Sequence, residues 1–356
     1  MHDEFIGTMP VQEKHRFDTA SLERFMQRNV AGYRGPLEVE QFKGGQSNPT
    51  FLLKTPGQRY VLRRKPPGKL LPSAHAVDRE YRVITALHSA GIPVARTYAL
   101  CEDEGIIGTA FYIMEFMDGR VLWDQALPGM TPDGRRAIYD EMNRVIAALH
   151  QVDYRAVGLA DFGKPGNYLE RQIGRWTKQY RASETETIEA MDRLIEWLPQ
   201  HIPPGDETCV VHGDYRLDNM IFHRTEPRIL AVLDWELSTL GHPLADFSYH
   251  CMSWRLEPGQ FRGLGGLDLE ALGIPTEKEY VAMYCRRTGR SGIDNWDYYI
   301  AYNMFRLAAI CQGIMGRAMD GTAASQHAFE QGRRARPLAE AGWRQVEKIL
   351  SKQRIS

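Results

Sequence analysis

Residues 210–222 read VVHGDYRLDNMIF, two short apolar strands separated by the polar segment between His212 and Asn219. Burying polar side chains between apolar strands costs free energy unless hydrogen bonds or chemistry make use of them. Asp214 and Asn219 stand in the pattern H-G-D-x-x-x-x-N, and the later apolar run ILAVLDWE carries Asp234 at its end. The polar segment is therefore predicted to be a functional loop held between two strands.

This spacing is typical of one chemistry. Phosphoryl transfer requires a carboxylate that orients the attacking hydroxyl and oxygen ligands that hold Mg²⁺ against the triphosphate. A loop with an Asp and then an Asn, followed by an Asp on a neighbouring hairpin, is how protein-kinase-like catalytic loops provide them. Taken singly, Asp214, Asn219 and Asp234 could each cap a turn or end a strand. As a spaced set, they favour a kinase-like catalytic loop.

The bulk composition is that of an ordinary globular chain. Its 356 residues carry a formal net charge of -1 at pH 7, so we expect neither nucleic acid nor an anionic membrane as a partner. The five cysteines are widely scattered, which predicts reduced thiols. No run approaches the roughly 18 apolar residues of a membrane span, and the N-terminus lacks the apolar core of a signal peptide. We expect a cytoplasmic protein, whose oligomeric state the sequence leaves open.

The periodicity of apolar residues divides the chain into a sheet-rich and a helix-rich part. A helix is predicted at 18–31, followed by the strand-like runs LEVEQF, TFLLKT and RYVLRRK, one helix, and two further strands. The last three helices are predicted at 278–290, 296–319 and 327–351. We predict an α+β, two-lobed protein-kinase-like fold, with a small antiparallel-sheet N-lobe in 1–117 and a larger, mainly helical C-lobe in 118–356.

The third strand and the following helix contain a candidate ion pair. A kinase requires a cation on this strand to hold phosphates and an acid on the next helix to orient it. YVLRRKP places Arg63 where the pattern V-A-I-K has its lysine, and alternation puts Val61 on the same face, where it could cover an adenine. Glu80 could pair with the cation. Arg64 is an alternative to Arg63, and a basic strand end beside a solvated acid is the structural alternative.

Two further segments are candidates for nucleotide contacts. FKGGQSNPTF lies where a phosphate-covering turn is expected, since glycines permit positive φ and expose N–H groups. In FYIMEFMDG, the backbone from Glu115 to Met117 would bond the adenine edge, although an ordinary edge strand gives the same pattern. The predicted phosphate contacts are Gly44, Gly45, Ser47 and Asn48.

Two polar residues are predicted to support the loop without reacting. Asp246 in LGHPLADFSY could hydrogen-bond the loop from behind, or could simply be an acid at a helix N-terminus. His212 could brace the loop through its ring nitrogens.

The segments VVHGDYRLDNMIF, LDWE and PLADFSY resemble the aminoglycoside phosphotransferase and choline kinase family of small-molecule kinases. Within that family, GGQSNPTF, YVLRRKPPG and FRLAAICQGIMGR most resemble the kinase-like domain fused to acyl-CoA dehydrogenases. The resemblance implies ATP and Mg²⁺ as cofactors. It makes Asp214 the catalytic base, Asn219 and Asp234 the metal ligands, and Arg63 the phosphate-binding cation.

Two departures from the protein-kinase pattern affect regulation. Gly213 follows the loop histidine where protein kinases have an arginine, and Trp235-Glu236 replaces the Phe-Gly after the metal-binding Asp. Both indicate a small-molecule kinase without an activation-loop switch. An arginine at position 63 binds phosphate with a fork instead of a point charge, which leaves the choice between ATP and GTP open.

The acceptor is expected to bind the helical part. Arg306, Gly313 and Arg317 fall on one face of a predicted helix and could cradle an anionic group, although such arginines also pair with core acids or extend to solvent. We predict a hydroxy acid or its CoA ester as acceptor. The alternatives are a kinase of aminoglycoside or choline type, or an inactive nucleotide-binding pseudo-kinase.

Overall fold

The computed structural model describes residues 7–43, 48–66, 76–322 and 327–355, so the predicted phosphate contacts Gly44, Gly45 and Ser47 lie outside the described residues. The chain divides into two compact units of separated segments. The first consists of Met1–Trp123, Asp153–Phe162 and Asp218–Ser238, and the second of Asp124–Val152, Gly163–Leu217 and Thr239–Ser356. The division into lobes 1–117 and 118–356 stays a prediction.

A six-stranded antiparallel sheet organises the first unit, in the order β1-β2-β3-β4-β6-β5. The strands are β1 (Thr8–Met9), β2 (Glu38–Phe42), β3 (Thr50–Lys54), β4 (Arg59–Arg64), β5 (Thr97–Cys101) and β6 (Phe111–Glu115). Consecutive strands β2, β3 and β4 pair antiparallel, as expected for the predicted antiparallel sheet. The turn between β3 and β4 is closed by the N–H of Thr55, which donates to the carbonyl of Gln58 at 2.9 Å.

Helix α1 (Thr19–Asn29) packs in the apolar core of this unit, close to the predicted bounds. The side chain of Asp18 caps it by accepting hydrogen bonds from two backbone N–H groups of its first turn. The apolar stripe of Leu22 and Met26 joins Phe51 and Phe111 of the sheet in one buried cluster. Because full burial of such a side chain contributes about 1.5–3 kcal/mol, this cluster is a main source of the unit's stability.

Side chains alternate along β4, so its last two residues, Arg63 and Arg64, lie on opposite faces of the sheet. Arg64 is buried, and its guanidinium lies over the rings of Phe17 and Phe51 at 5.1 and 5.3 Å. Arg63 pairs in register with Tyr112 of β6 and points to the side of helix α2 (Val77–Ser89). Of the two candidate cations, therefore, Arg63 is the one that meets the acid on the following helix.

A second, three-stranded sheet of the first unit consists of β7 (Arg120–Val121), β9 (Met220–Phe222) and β10 (Ile229–Val232), in the order β10-β9-β7. The chain enters β7 through Gly119, where a Cβ atom would come 2.3 Å from the carbonyl oxygen of Phe222. Only glycine permits this approach of two backbones.

The second unit is mainly helical. Strands β8 (Cys209–Val211) and β11 (Thr239–Gly241) form an antiparallel pair. Helix α9 is its central element, since it contacts α4, α5, α6, α10 and α11 and is buried at most positions from Tyr298 to Gly313. The helices are α3 (Pro132–His150), α4 (Tyr168–Ala182), α5 (Glu189–Gln200), α6 (Pro243–Cys251), α7 (Leu269–Leu272), α8 (Glu277–Thr288), α9 (Trp296–Met319), α10 (Ala328–Gly332) and α11 (Ala335–Ile355).

The prediction of one helix over 327–351 is wrong, because two helices, α10 and α11, occupy this region. The break follows Gly332, whose position would bring a Cβ atom to 2.7 Å from the side chain of Met315. Glycine is a poor helix former. The residue that this tight contact requires therefore also favours the end of helix α10.

All five cysteines are free and buried. Among the described residues, no helix is long and apolar enough to cross a membrane.

Candidate functional site

In the first unit, Arg63 connects three acidic side chains. Its Nε lies 2.8 Å from Oε2 of Glu80, and its Nη2 donates to Oδ1 of Asp234 at 2.8 Å. Glu236 is farther away, at 3.7 Å from Nη2. The structure therefore brings together the cation, its helix partner and the strand-end acid that the sequence analysis selected from three distant segments.

Glu80 is held from two more directions. It is 2% exposed and accepts hydrogen bonds from Nδ2 of Asn48 at 2.8 Å and from the hydroxyl of Tyr112 at 3.1 Å. Burial raises the pKa of the Glu80 carboxyl, and the charge of Arg63 opposes this shift. Burial also disfavours the charged form of Arg63, but the attraction of Glu80 outweighs it and the pKa of Arg63 is raised. Arg63 is thus a fixed positive charge with a defined orientation.

Asn219 and Asp234 lie at the same end of a strand pair. Met220 of β9 is in register with Val232 of β10, and the N–H of Leu233 donates to the carbonyl of Asn219 at 2.8 Å. The next residue, Asp234, adopts the left-handed conformation, with φ 63° and ψ 63°. That conformation is costly for a residue other than glycine, and such residues are concentrated at functional sites. The hairpin therefore supplies an amide and a carboxylate from adjacent strand ends.

The predicted adenine contacts are half-buried or buried in the first unit. Val61 of β4 is 8% exposed and lies on the same face of the strand as Arg63. The N–H of Glu115 donates to the carbonyl of Arg96 at 2.8 Å, so this donor is used within the protein. Met117 follows β6 and is partly exposed.

In the second unit, Asp246 holds the backbone of the loop that follows β8. Its two carboxylate oxygens accept hydrogen bonds from the N–H groups of His212 and Gly213, each at 2.8 Å. The ring of His150 contributes a third partner at 3.1 Å. Burial opposes ionisation of Asp246, but the hydrogen bond of His150 and the backbone N–H of His212 hold its pKa below the ordinary value. Gly213 itself has φ 85°, a conformation that favours glycine.

Both carboxylate oxygens of Asp214 have partners in the second unit. The hydroxyl of Tyr249 donates to Oδ1 at 2.6 Å, and Nε of Arg216 lies 3.0 Å from Oδ2. The N–H of Asp214 donates to Nδ1 of His212 at 3.1 Å, so the histidine ring contacts the loop through a nitrogen. Burial raises the pKa of Tyr249, and the charge of Asp214 raises it further, which keeps the phenol a hydrogen-bond donor.

The two candidate substrate arginines of α9 differ in environment. Arg306 is 7% exposed, donates to the carbonyl of Gly213 at 2.7 Å, and lies over the rings of Tyr249 and Trp176 at 5.0 and 5.8 Å. Arg317 is exposed. The burial of Arg306 favours the structural alternative, in which it supports the loop, over direct contact with a ligand.

An open cavity of about 720 Å³ runs along α4 in the second unit. The side chains that line it include three cations, Arg171, Arg175 and Lys178, and one acid, Glu170. The sequence alone did not identify this basic groove, because its charges are ordinary for the exposed face of a helix.

Sequence reasoning also missed Tyr249 and His150 as neighbours of the loop, and Arg216 within the loop as a partner of Asp214. Tyr249 and Asp246 share helix α6 at a spacing of three residues, which places them on one helix face. That spacing was the available signal for Tyr249. His150 ends a helix far away in sequence, and no local pattern indicates its contact with Asp246.

Comparison with known proteins identifies the family of this chain. The profile of the phosphotransferase enzyme family, APH, matches residues 38–297, and the chain belongs to this family. It is 48% identical over 341 residues to acyl-CoA dehydrogenase family member 10 of Mus musculus, which covers 95% of this chain and 32% of that protein. The chain thus spans about a third of that relative.

Two solved structures are also similar. A crystal structure from Ralstonia eutropha, of a protein provisionally described as an aminoglycoside phosphotransferase, is 64% identical with a TM-score of 0.88, covering 94% of this chain and 99% of that one. The complex of aminoglycoside phosphotransferase APH(4)-Ia with ADP and hygromycin B is 17% identical with a TM-score of 0.60, covering 91% of this chain and 98% of that one. The predicted fold is confirmed: a kinase-like fold with an N-terminal antiparallel sheet followed by a mainly helical part.

Proposed function

We propose that this chain is an ATP- and Mg²⁺-dependent phosphotransferase that transfers the γ-phosphoryl group to a hydroxyl of a small molecule. The observation that carries the proposal is the contact of Arg63 with both Glu80 and Asp234. These side chains come from three separate segments, and they are the cation, orienting acid and metal-binding acid that phosphoryl transfer requires.

Arg63 is proposed to bind the phosphates of ATP, with Glu80 fixing its direction. Val61 would cover the adenine, and the backbone from Glu115 to Met117 would bond its edge. The side chain of Asn48 is fully buried and donates to Glu80, so it supports the ion pair. The remaining proposed phosphate contacts are Gly44, Gly45 and Ser47.

The donor set at the hairpin end fits magnesium. Asn219 and Asp234 present an amide oxygen and a carboxylate, which are the hard oxygen ligands that Mg²⁺ prefers, and Mg²⁺ is commonly bound by one or two protein groups together with substrate phosphates. When bound, the ion would neutralise negative charge on the triphosphate. Asp234 would have to exchange the guanidinium of Arg63 for the metal.

Asp214 is proposed to accept the proton of the acceptor hydroxyl. Asp246 and Arg306 fix the backbone just before Asp214. Asp246 accepts hydrogen bonds from the N–H groups of His212 and Gly213, and Arg306 donates to the carbonyl of Gly213. Asp214 is therefore attached to a rigid backbone, which is the requirement for orienting a nucleophile.

The acceptor is proposed to be anionic, such as a hydroxy acid or its CoA ester. The basic groove of α4 and the exposed Arg317 support this proposal, because they would repel a polycationic aminoglycoside. A choline-type amino alcohol would meet the same unfavourable field.

An ATP-consumption screen over hydroxylated metabolites tests the function, with kanamycin and choline included. Removal of a general base costs about 10²–10⁴-fold in rate, so Asp214→Asn should lose turnover by that factor. Asp294→Asn, the same change on an exposed side chain, is the matched control. Near-full turnover by Asp214→Asn contradicts the assignment of the base, and ATP binding without consumption for any acceptor would instead indicate a pseudo-kinase.

A further inference from the structure

A small cavity lies beside Asp214 in the second unit. Its volume is about 20 Å³, and its lining includes Arg216, Tyr249, His250 and Arg262. Arg216 and Tyr249 also contact the carboxylate of Asp214. The cavity is therefore adjacent to the proposed base, and in its present size it holds about one water molecule.

The charges around this cavity favour an anion. Two guanidinium groups, those of Arg216 and Arg262, contribute to the lining, and none of its described residues is a carboxylate. His250 is neutral near pH 7 because burial lowers its pKa to about 4. Arginine pairs reach carboxylates and phosphates with well-directed, charge-assisted hydrogen bonds.

A segment that lines the cavity is strained. Phe261 and Arg262 are consecutive non-glycine residues with positive φ, at 86° and 51°. The ends of this turn are fixed: the N–H of Leu264 donates to the carbonyl of Ser253 at 2.7 Å, and that of Gly265 to Leu256 at 2.8 Å. Strain of this kind persists where the surroundings enforce it and is concentrated at binding sites. Because Phe261 and Arg262 both line the cavity, a change of backbone conformation at these two residues would change its size.

The two oxygens of the Asp214 carboxylate are both in contact with side chains that line the cavity. With Tyr249 on Oδ1 and Arg216 on Oδ2, both oxygens that could accept a proton from a hydroxyl are engaged. A competing anion would bind Arg216 and reduce its attraction for Oδ2. The anion would thus free one oxygen of the carboxylate at the moment when an acceptor is present.

We propose that this cavity is the subsite for the anionic group of the acceptor, which binds between Arg216 and Arg262 and draws Arg216 away from Asp214. The inference rests on the proposed function, because that function requires an acceptor, which is proposed to be anionic, and a carboxylate oxygen of Asp214 that can accept a proton. A neutral alcohol would not draw Arg216 away from the carboxylate of Asp214. It would therefore be a poorer acceptor than an anionic one.

Binding can be measured on the full chain without ATP. Calorimetric titrations at constant ionic strength would use 3-hydroxybutyrate, acetate and inorganic phosphate, with 3-hydroxybutyramide as the neutral isostere. We expect saturable binding of at least one anion and none of the amide. A hydrogen bond to a charged group contributes enough binding free energy for its loss to weaken binding strongly. Arg216→Gln and Arg262→Gln should therefore each raise Kd by about 10–100-fold.

Arg344→Gln, on an exposed arginine of α11, is the control and should leave Kd unchanged. Arg317→Gln tests the competing possibility that the anion binds the basic surface near α4, and binding between Arg216 and Arg262 requires that this variant keep the Kd of the wild type. Because Arg262 lies on a surface turn, its variant keeps the test valid if Arg216→Gln fails to fold. The proposal is overturned if no anion binds saturably, if the amide binds equally well, or if Arg317→Gln alone abolishes binding.

Asp214→Asn separates this inference from the proposed function. It removes the competitor of the anion for Arg216, so it should bind the anion more tightly than the wild type while losing phosphoryl transfer. Weaker anion binding by this variant would refute the exchange of Arg216. Failure of the ATP-consumption screen with intact anion binding would instead refute the kinase function and leave the subsite standing.

Discussion

Asp246→Asn isolates the group that holds the loop after β8. The wild-type carboxylate is 4% exposed and accepts hydrogen bonds from the N–H groups of His212 and Gly213, with His150 as a third partner. The carboxamide of asparagine has nearly the same shape but only one acceptor oxygen. Its NH₂ group would therefore face one of the two backbone N–H groups.

The magnitude follows from the one donor that loses its acceptor. A buried N–H group without a partner costs about 1–3 kcal/mol. With a urea m value of about 3 kcal/mol/M, a loss of about 2 kcal/mol lowers the unfolding midpoint by about 0.7 M. The loop also loses its fixed position, so kcat should fall more than the KM for ATP rises.

The pH dependence gives a second readout. The pKa of Asp246 is lowered from 3.8 in the folded chain, so its ionised form stabilises the fold. This contribution is complete above the unfolded value and is lost as the pH falls through the folded pKa. The stability difference between wild type and Asp246→Asn should therefore be constant from about pH 5 to pH 8 and narrow below about pH 4.

Urea titrations followed by circular dichroism measure both effects, with Asp294→Asn as the exposed counterpart. Equal midpoints for wild type and Asp246→Asn at pH 7 would show that these hydrogen bonds contribute nothing. A difference that widened on acidification would show that the sign of the pKa shift is wrong.

Two further predictions concern charged groups elsewhere in the chain. Arg63→Gln leaves Glu80 buried without its cation, so the free energy of unfolding should fall by about 3–5 kcal/mol and the KM for ATP should rise. Chemical denaturation and steady-state kinetics measure these two changes. The control is Arg59→Gln, on the exposed end of the same strand, and an effect of Arg63→Gln no larger than that of the control would contradict the prediction. Burial lowers the pKa of His242 from 6.5 to about 4, so stability should decline by up to about 3 kcal/mol as the pH falls through this interval, because the unfolded chain takes up the proton first. His242→Asn keeps an acceptor at the helix N-cap and should flatten that decline, and an unchanged pH profile of the midpoint would count against burial as its cause.

The local parts of the site could be predicted because their spacing is set within short segments. The pattern from His212 to Asn219 lies in one loop, and Asp234 ends the next hairpin. The hairpin register then brings Asn219 beside the strand end that carries Asp234. The contact between Arg63 and Glu80 agrees with the expectation, since strand alternation and the following helix limited the choice of partners.

Other features could not be predicted because their cause lies in contacts between distant segments. The burial of Arg306 depends on the rings of Trp176 and Tyr249 and on the carbonyl of Gly213. Helical periodicity placed it correctly on a face of α9 but could not show what that face meets. The strained turn at Phe261 and Arg262 likewise has no glycine to mark it.

The sequence by itself determined the family and the kinase-like fold, since these depend on local spacing and on alternation of apolar residues. The tertiary structure decided which of the neighbouring arginines Arg63 and Arg64 meets the acids, because the sheet separates them onto opposite faces. It also decided that Asp214 shares its oxygens with Tyr249 and Arg216. Those partners are brought to the carboxylate only when helix α6 and the loop after β8 pack together.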